Sequence, residues 1–123
     1  MSSIGCRRWA IAEGYIPEWS EAAGRKLESH ETACILNAGD ADAHVLITVF
    51  YADREPVRYP VTVPARRTKH VRFNDLREPE PIPTGVDFSS VIESDVDVVV
   101  QHTRLDSRQD ANALLSTIAF PSR

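Results

Sequence analysis

One segment of the chain concentrates side chains that bind anions and hydroxyl groups. Between Val63 and Asp75 it carries three arginines, a lysine and a histidine in a strand-like alternation. Because successive side chains of a strand point to opposite faces, one face is wholly polar and holds Arg66, Thr68, His70, Arg72 and Asn74. We predict that its arginines and histidine bind an anionic or hydroxyl-rich ligand. A charged edge strand that discourages aggregation is the alternative.

A second polar group lies at the end of the valine-rich segment 96–103. His102 and Arg104 share one strand face with Val98 and Val100, so a buried strand carries polar side chains to its rim. Loops and strand ends at such a rim commonly build ligand pockets. We predict that His102 and Arg104 belong to the binding site. A local network, such as an ion pair between Arg104 and Asp106, is the alternative.

Two further pairs of residues are candidate neighbours of that site. Trp9 and Glu13 lie on the same face of a predicted strand. Trp9 could stack on a sugar ring while Glu13 accepts hydrogen bonds from its hydroxyl groups. A position of Trp9 in the core is the alternative. His30 and Glu31 are adjacent on a predicted strand and point to opposite faces. They therefore cannot converge with Ser29 as a catalytic triad.

Sequence motifs for catalysis and for cofactor binding are missing. The four histidines lack the spacing of a metalloprotease helix, and no phosphate-binding loop, paired-cysteine motif or nucleophile elbow occurs. We therefore predict a protein that is not an enzyme and that uses no cofactor and no metal. Two alternatives stay open. One is a metal-assisted enzyme that processes sugars through clustered histidines, and the other is a DNA-associated regulator that uses the basic segment 65–72.

Length and composition bound the class of protein. The 123 residues predict a single domain, 1–123, and the 42% hydrophobic and 26% charged residues are typical of a globular chain. The net charge of -4 argues against non-specific coating of DNA. No segment approaches the about 20 apolar residues that cross a bilayer, and no secretory signal is visible. We expect a cytoplasmic protein with reduced thiols, with Cys34 in the core and Cys6 near the surface.

The elements that position these residues are predicted to be short strands. Apolar runs and alternations predict them at 8–12, 31–36, 43–51, 57–63, 66–73, 96–103 and 112–120. We interpret Asp87–Ile92 as a single helical turn opened by an aspartate cap, and 20–28 as a surface loop. About seven strands with little helix predict an all-β fold, an antiparallel β-sandwich, with a small barrel as the alternative.

Five sequence blocks carry a resemblance to a known family, and they are Trp9–Pro17, Ser29–Thr32, Ile35–Asp40, Val63–Leu76 and Gln101–Gln109. In these blocks the chain resembles the soluble transducers associated with microbial sensory rhodopsins. The resemblance implies a small cytoplasmic β-sandwich that assembles as a homo-tetramer and receives a signal from a membrane photoreceptor without a covalent tether. It also implies, for relatives without a rhodopsin, the binding of small molecules such as sugars or their derivatives. It brings no catalytic residues.

The leading hypothesis is a non-enzymatic signalling protein that binds a receptor, a small polar ligand, or both. The predicted ligand-binding residues are Trp9, Glu13, His30, Glu31, Arg66, His70, Arg72, His102 and Arg104. Their arginines would donate to anionic or hydroxyl oxygens. We expect strand pairing to gather the charged and imidazole groups into one solvent-accessible hollow.

Overall fold

The computed structural model describes residues 3–18, 29–106 and 113–122 of the chain. These residues form eight β-strands, one 3-10 turn at Phe73–Asp75 and no α-helix. The strands are β1 (Cys6–Ile11), β2 (His30–Asn37), β3 (Ala43–Tyr51), β4 (Val57–Val63), β5 (Arg67–Arg72), β6 (Phe88–Asp106), β7 (Ala113–Ile118) and β8 (Phe120–Ser122). The all-β prediction is confirmed. The loop predicted at 20–28 lies outside the described residues.

All strand pairs are antiparallel, and the 19-residue strand β6 takes part in two sheets. Its first part pairs with β3 and β1, which gives the order β4-β3-β6-β1-β8, called sheet I here. Its second part pairs with β2 and β7. Since β5 pairs with the other side of β2, the second order is β5-β2-β6-β7, called sheet II.

The inner faces of the two sheets share one hydrophobic core. Sheet I contributes Val45, Ile47 and Ile92, and sheet II contributes Ile35 and Val100, all with 3% exposure or less. The inward residues of β2 are the odd-numbered ones, and those of β6 are the even-numbered ones, as the two-residue period of a strand requires. Any polar residue with the same parity therefore also points inward.

The prediction of a helical turn at Asp87–Ile92 is wrong, because β6 already begins at Phe88. The segment 88–97 is rich in serine and acidic residues, which are poor strand formers by composition. Pairing with β1 on one side and β3 on the other overrides that local preference. The predicted strand over 96–103 is therefore only part of a longer one, Phe88–Asp106.

The prediction for the two cysteines is also wrong. Cys6 is buried at 8% exposure, whereas Cys34 is partly exposed on the outer face of sheet II. Cys34 has even parity on β2, so it points away from the core although its chain neighbours are apolar. Both thiols are free.

No helix among the described residues is long and apolar enough to span a membrane.

Candidate functional site

A buried carboxylate lies at the centre of the candidate site. Glu31, near the start of β2, is 0% exposed and points into the sandwich. Its Oε1 lies 2.6 Å from His102 Nε2, and its Oε2 accepts hydrogen bonds from Arg104 Nε at 3.0 Å and Nη2 at 2.6 Å. The backbone N–H of Tyr15 also donates to Oε2, at 2.6 Å. We call Glu31, His102 and Arg104 the Glu31 cluster.

The register between β2 and β6 creates this cluster. It sets Glu31 opposite Arg104 and Ala33 opposite His102, all on the inner face of sheet II. Directly opposite and diagonal side chains of an antiparallel pair are within reach of each other. Because Ala33 is small, the His102 imidazole can reach diagonally to the Glu31 carboxylate.

The Glu31 cluster extends to the protein surface through Arg104. The Arg104 side chain is 24% exposed, and its Nη1 lies 3.8 Å from Oε1 of Glu13, whose side chain is 70% exposed. Glu13 lines an open depression of about 270 Å³, together with Phe50, Tyr51 and Asp87. A buried charge network therefore ends at the wall of a cavity that solvent can enter.

Opposing effects set the pKa values of the two charged groups. Burial raises the pKa of Glu31, but the hydrogen bonds from His102, Arg104 and Tyr15 lower it by more, so it lies below the ordinary 4.5. Burial lowers the pKa of Arg104, and the Glu31 carboxylate raises it by more, so it lies above the ordinary value of an arginine. At neutral pH both groups are ionised and form an ion pair.

Acidification is expected to weaken the fold through Glu31. Because its pKa is lower in the folded state than in the unfolded state, the unfolded chain binds the proton first as the pH falls. The stabilisation is complete above about pH 4.5 and is lost as the pH falls through the lowered folded pKa. We expect urea denaturation between about pH 6 and pH 3 to show this decline.

A Glu31→Gln variant should start from lower stability and show a shallower decline with acidification, because its side chain cannot titrate. Glu13→Gln removes an exposed carboxyl group from the same neighbourhood and is the matched control. Parallel declines in the wild type and in Glu31→Gln would contradict the assignment.

A second polar pair lies on the outer face of sheet II. Arg72 Nη2 is 3.0 Å from His30 Nδ1, and the buried Nε of Arg72 has no hydrogen-bond partner within the described part of the chain. His70 is exposed on the same face, opposite Cys34. Side chains alternate along β2, so His30 points away from the neighbouring Glu31. This group is thus separated from the Glu31 cluster by the sheet itself.

Two predicted site residues lie elsewhere. Arg66 does not belong to β5: it occupies a turn with φ of 56°, and its guanidinium pairs with Asp40 at 3.3 Å. Asn37, which pairs with Arg67, lies six positions along β2 from Glu31, so the neighbouring Arg66 is about 20 Å from the cluster. Trp9 is 4% exposed in the core, where its indole N–H contacts the carbonyls of Cys6 and Val98 at 3.0 and 3.1 Å.

The nine predicted residues therefore do not meet in one hollow. Glu13, Glu31, His102 and Arg104 come together at one rim, and the others occupy the outer face of sheet II, a distant turn and the core. A larger hollow of about 450 Å³ lies beside the Ala38–Ala41 turn and is lined by none of the nine predicted residues.

Across residues 3–18, 29–106 and 113–122, no group of three His, Cys, Asp or Glu could hold a metal ion.

Of the residues that line the depression, sequence reasoning found only Glu13 and missed, among others, Phe50, Tyr51 and Asp87. They come from the end of β3 and the residue before β6, which antiparallel pairing brings together through Tyr51 and Phe88. The one local signal was Phe50, an aromatic residue on the outward parity of β3 that is 40% exposed. Nothing in the sequence near Asp87 indicated its proximity to Glu13.

The fold and the Glu31 cluster define the class: a small antiparallel all-β protein of two sheets, with a buried charge network at one rim. Residues 4–121 match the family model described as Anabaena sensory rhodopsin transducer. The chain belongs to that family, as its sequence blocks indicated.

Solved structures agree with this assignment. A structure named "Anabaena sensory rhodopsin transducer" is 66% identical, with a TM-score of 0.77, and the match covers 87% of this chain and 94% of that one. A second, named "Crystal Structure of Thermotoga maritima 1070", is 36% identical, with a TM-score of 0.86 and 96% of each chain covered. A comparison with curated proteins found no match.

Proposed function

We propose that this chain is a non-enzymatic, cytoplasmic signal transducer that binds a membrane photoreceptor, a small polar ligand, or both. The 66% identity to a sensory rhodopsin transducer, over 87% of the chain, supports the signalling role. The family resemblance also supports a homo-oligomer, and the oligomer that the resemblance implies is a tetramer. In this proposal a bound ligand changes the affinity of the oligomer for its receptor.

One observation carries the ligand site: a buried carboxylate connects through Arg104 and Glu13 to an open depression. Buried charges with shifted pKa values cluster at functional sites, although purely structural ion pairs occur too. In this protein the network ends at a cavity wall. An ion pair that only stabilised the fold would not require such an opening. Glu13 is the residue that a ligand in the depression would contact first.

The side chains of the depression favour hydroxyl groups over anions. Glu13 and Asp87 line it, and the charge of Arg104 is already engaged by Glu31. Carboxylates accept hydrogen bonds from hydroxyl groups and repel anions. The exposed ring of Phe50 offers a surface on which a sugar ring can stack. We therefore propose a sugar-like ligand in place of the anion that the arginines of the sequence suggested.

Chemical-shift titration of the ¹⁵N-labelled protein tests this proposal, with D-glucose, D-ribose and inorganic phosphate as probes. We expect saturable shifts at residues 12–13, 50–52 and 87–89 with a sugar and none with phosphate. Glu13→Gln should weaken sugar binding about tenfold, the effect of one charge-assisted hydrogen bond. Glu93→Gln, which removes an exposed carboxylate that pairs with Arg8, is the control and should bind like the wild type. Binding of phosphate alone, or of no probe, would contradict the ligand site.

The same titration, repeated with a sensory rhodopsin in lipid nanodiscs, tests the receptor role independently. We expect line broadening that differs between light and dark, and no effect from empty nanodiscs. A protein that binds the rhodopsin but no sugar keeps the transducer role and loses the ligand site. Failure of both arms would overturn the proposed function.

One observation favours DNA association as a second candidate. Arg67, Lys69 and His70 are exposed on β5, and within the described residues none of them forms an ion pair with a carboxylate. Instead, Arg67 and Lys69 donate to the backbone carbonyls of Arg66 and Thr62. A DNA duplex serves as a further probe, and affinity that falls steeply with added salt supports this candidate.

A further inference from the structure

We propose that the hollow beside the Ala38–Ala41 turn binds a zwitterionic α-amino acid with an apolar side chain. In this complex the guanidinium of Arg7 holds the carboxylate of the amino acid, and the carboxylate of Asp97 holds its ammonium group. We call this cavity the Arg7 hollow. The turn follows Asn37, six positions along β2 from Glu31, so the Arg7 hollow is about 20 Å from the Glu31 cluster and separate from it.

The Arg7 hollow lies where β6 passes from sheet I to sheet II. The pairing of β6 with β3 ends at Ser94, and its pairing with β2 begins at Val99. Among the described strands, none pairs with residues 95–98 on that side. On the other side β1 has an irregular register, in which the four residues 94–97 of β6 face the single residue Arg7. Such bulges redirect side chains and are common next to binding sites.

A buried asparagine fixes one wall of the Arg7 hollow. Asn37 is 0% exposed, and its Nδ2 donates to the carbonyls of Ala41 at 2.8 Å and Val63 at 3.0 Å. Its Oδ1 accepts from the N–H of Gly39 at 3.1 Å. These bonds hold the Ala38–Ala41 turn in one conformation. The cavity of about 450 Å³ is within the roughly 300–1,000 Å³ of small-molecule pockets and is largely pre-formed.

Two opposite charges in the Arg7 hollow are only loosely paired with each other. Arg7 Nε is 3.8 Å from Asp97 Oδ1, which is longer than a hydrogen bond. The Arg7 side chain is 68% exposed and makes no other ion pair and no side-chain hydrogen bond within the described part of the chain. The hydroxyl of Ser3 donates to the other oxygen of Asp97. The guanidinium fork and one carboxylate oxygen thus remain available to a ligand.

The charge balance of the Arg7 hollow favours a zwitterion. Asp40 also lines the cavity, but its carboxylate pairs with Arg66 at 3.3 Å. One guanidinium and one carboxylate remain side by side. A ligand with a single charge would be attracted by one of them and repelled by the other. An α-amino acid carries its carboxylate and its ammonium on the same carbon, so it can satisfy both groups at once.

Apolar side chains beside the two charges provide for the side chain of the amino acid. Ile4 lines the Arg7 hollow and is 61% exposed, and the half-buried Val96 and the small Ala38 and Ala41 line it too. Covering these groups with a ligand removes apolar surface from water. We therefore expect an aliphatic amino acid such as leucine to bind more tightly than glycine.

Chemical-shift titration of the ¹⁵N-labelled protein at pH 7 tests the site, with L-leucine as the first probe. We expect saturable shifts at residues 4–7, 38–41 and 96–97 and none at 12–13. N-acetyl-L-leucine lacks the ammonium group and L-leucinamide lacks the carboxylate, so each should bind at least about tenfold more weakly. Glycine should bind roughly tenfold more weakly because it has no side chain. No saturable shift with L-leucine, or equal affinity for either blocked derivative, would overturn the proposal.

Two near-isosteric substitutions assign the charges to residues. Arg7→Gln should weaken binding of L-leucine at least about tenfold and abolish its preference over L-leucinamide, while Asp97→Asn should abolish the preference over N-acetyl-L-leucine. Arg54→Gln and Asp53→Asn are the matched controls, since these residues form an exposed ion pair at 3.1 Å after β3 and do not line the hollow. Both controls should bind like the wild type. Wild-type affinity for L-leucine in Arg7→Gln or in Asp97→Asn would contradict the site as proposed.

Discussion

Replacing Glu31 with alanine is expected to lower the free energy of unfolding by about 3–5 kcal/mol, the cost of removing one partner from a buried ion pair. The substitution leaves the Arg104 guanidinium, the His102 imidazole and the Tyr15 N–H without the carboxylate that accepts from all three. Glu31 is 0% exposed, so water cannot replace the lost oxygens without opening the structure. Urea denaturation followed by circular dichroism at neutral pH measures the loss.

Glu13→Ala is the matched control for this measurement. It removes a carboxylate from the same arginine, but that carboxylate is 70% exposed and 3.8 Å away, so we expect a loss of at most about 1 kcal/mol. Equal losses in the two variants would show that Glu31 is not the organising group of the cluster. Since Glu13 is proposed to contact the ligand, its replacement should affect sugar binding more than stability.

Replacing Trp9 with alanine is the second large expected effect, a loss of about 3–5 kcal/mol in the free energy of unfolding. The indole ring is 4% exposed, and its N–H bridges the backbone carbonyls of Cys6 and Val98. Alanine therefore leaves a cavity where β1 meets β6 and two carbonyl groups without their donor. Urea denaturation measures this loss as well.

Trp9→Phe separates packing from ligand stacking. It keeps most of the buried volume and loses the two hydrogen bonds, so we expect a smaller loss of about 1–3 kcal/mol. Its sugar affinity should equal that of the wild type, because Trp9 does not line the depression. A large loss of sugar affinity in a folded Trp9→Phe variant would return Trp9 to the binding site. Phe50→Ala, at the exposed ring, should show the opposite pattern: little loss of stability and weaker sugar binding.

Much of the fold follows from the periodicity of the sequence. The run Ala43–Tyr51 predicted a strand with the bounds that the structure gives to β3, and the valine-rich strand does carry His102 and Arg104 towards a rim. Local propensity failed for the first half of β6, where serine and acidic residues form strand because both neighbours pair with them. It failed again at Arg66, because a positive φ at a residue other than glycine leaves no clear sequence signal.

The sequence by itself determined which side chains share a strand face, since the two-residue period of a strand is a local property. It therefore separated His30 from Glu31 and joined His102 with Arg104. Only the tertiary structure decided which faces meet. The bond between Glu31 and Arg104 joins residues 73 positions apart, and their register depends on how both sheets pack their whole inner faces. The same packing separates His70 and Arg72 from the Glu31 cluster, because their face of sheet II points away from the core, while Arg66 lies in a turn outside β5.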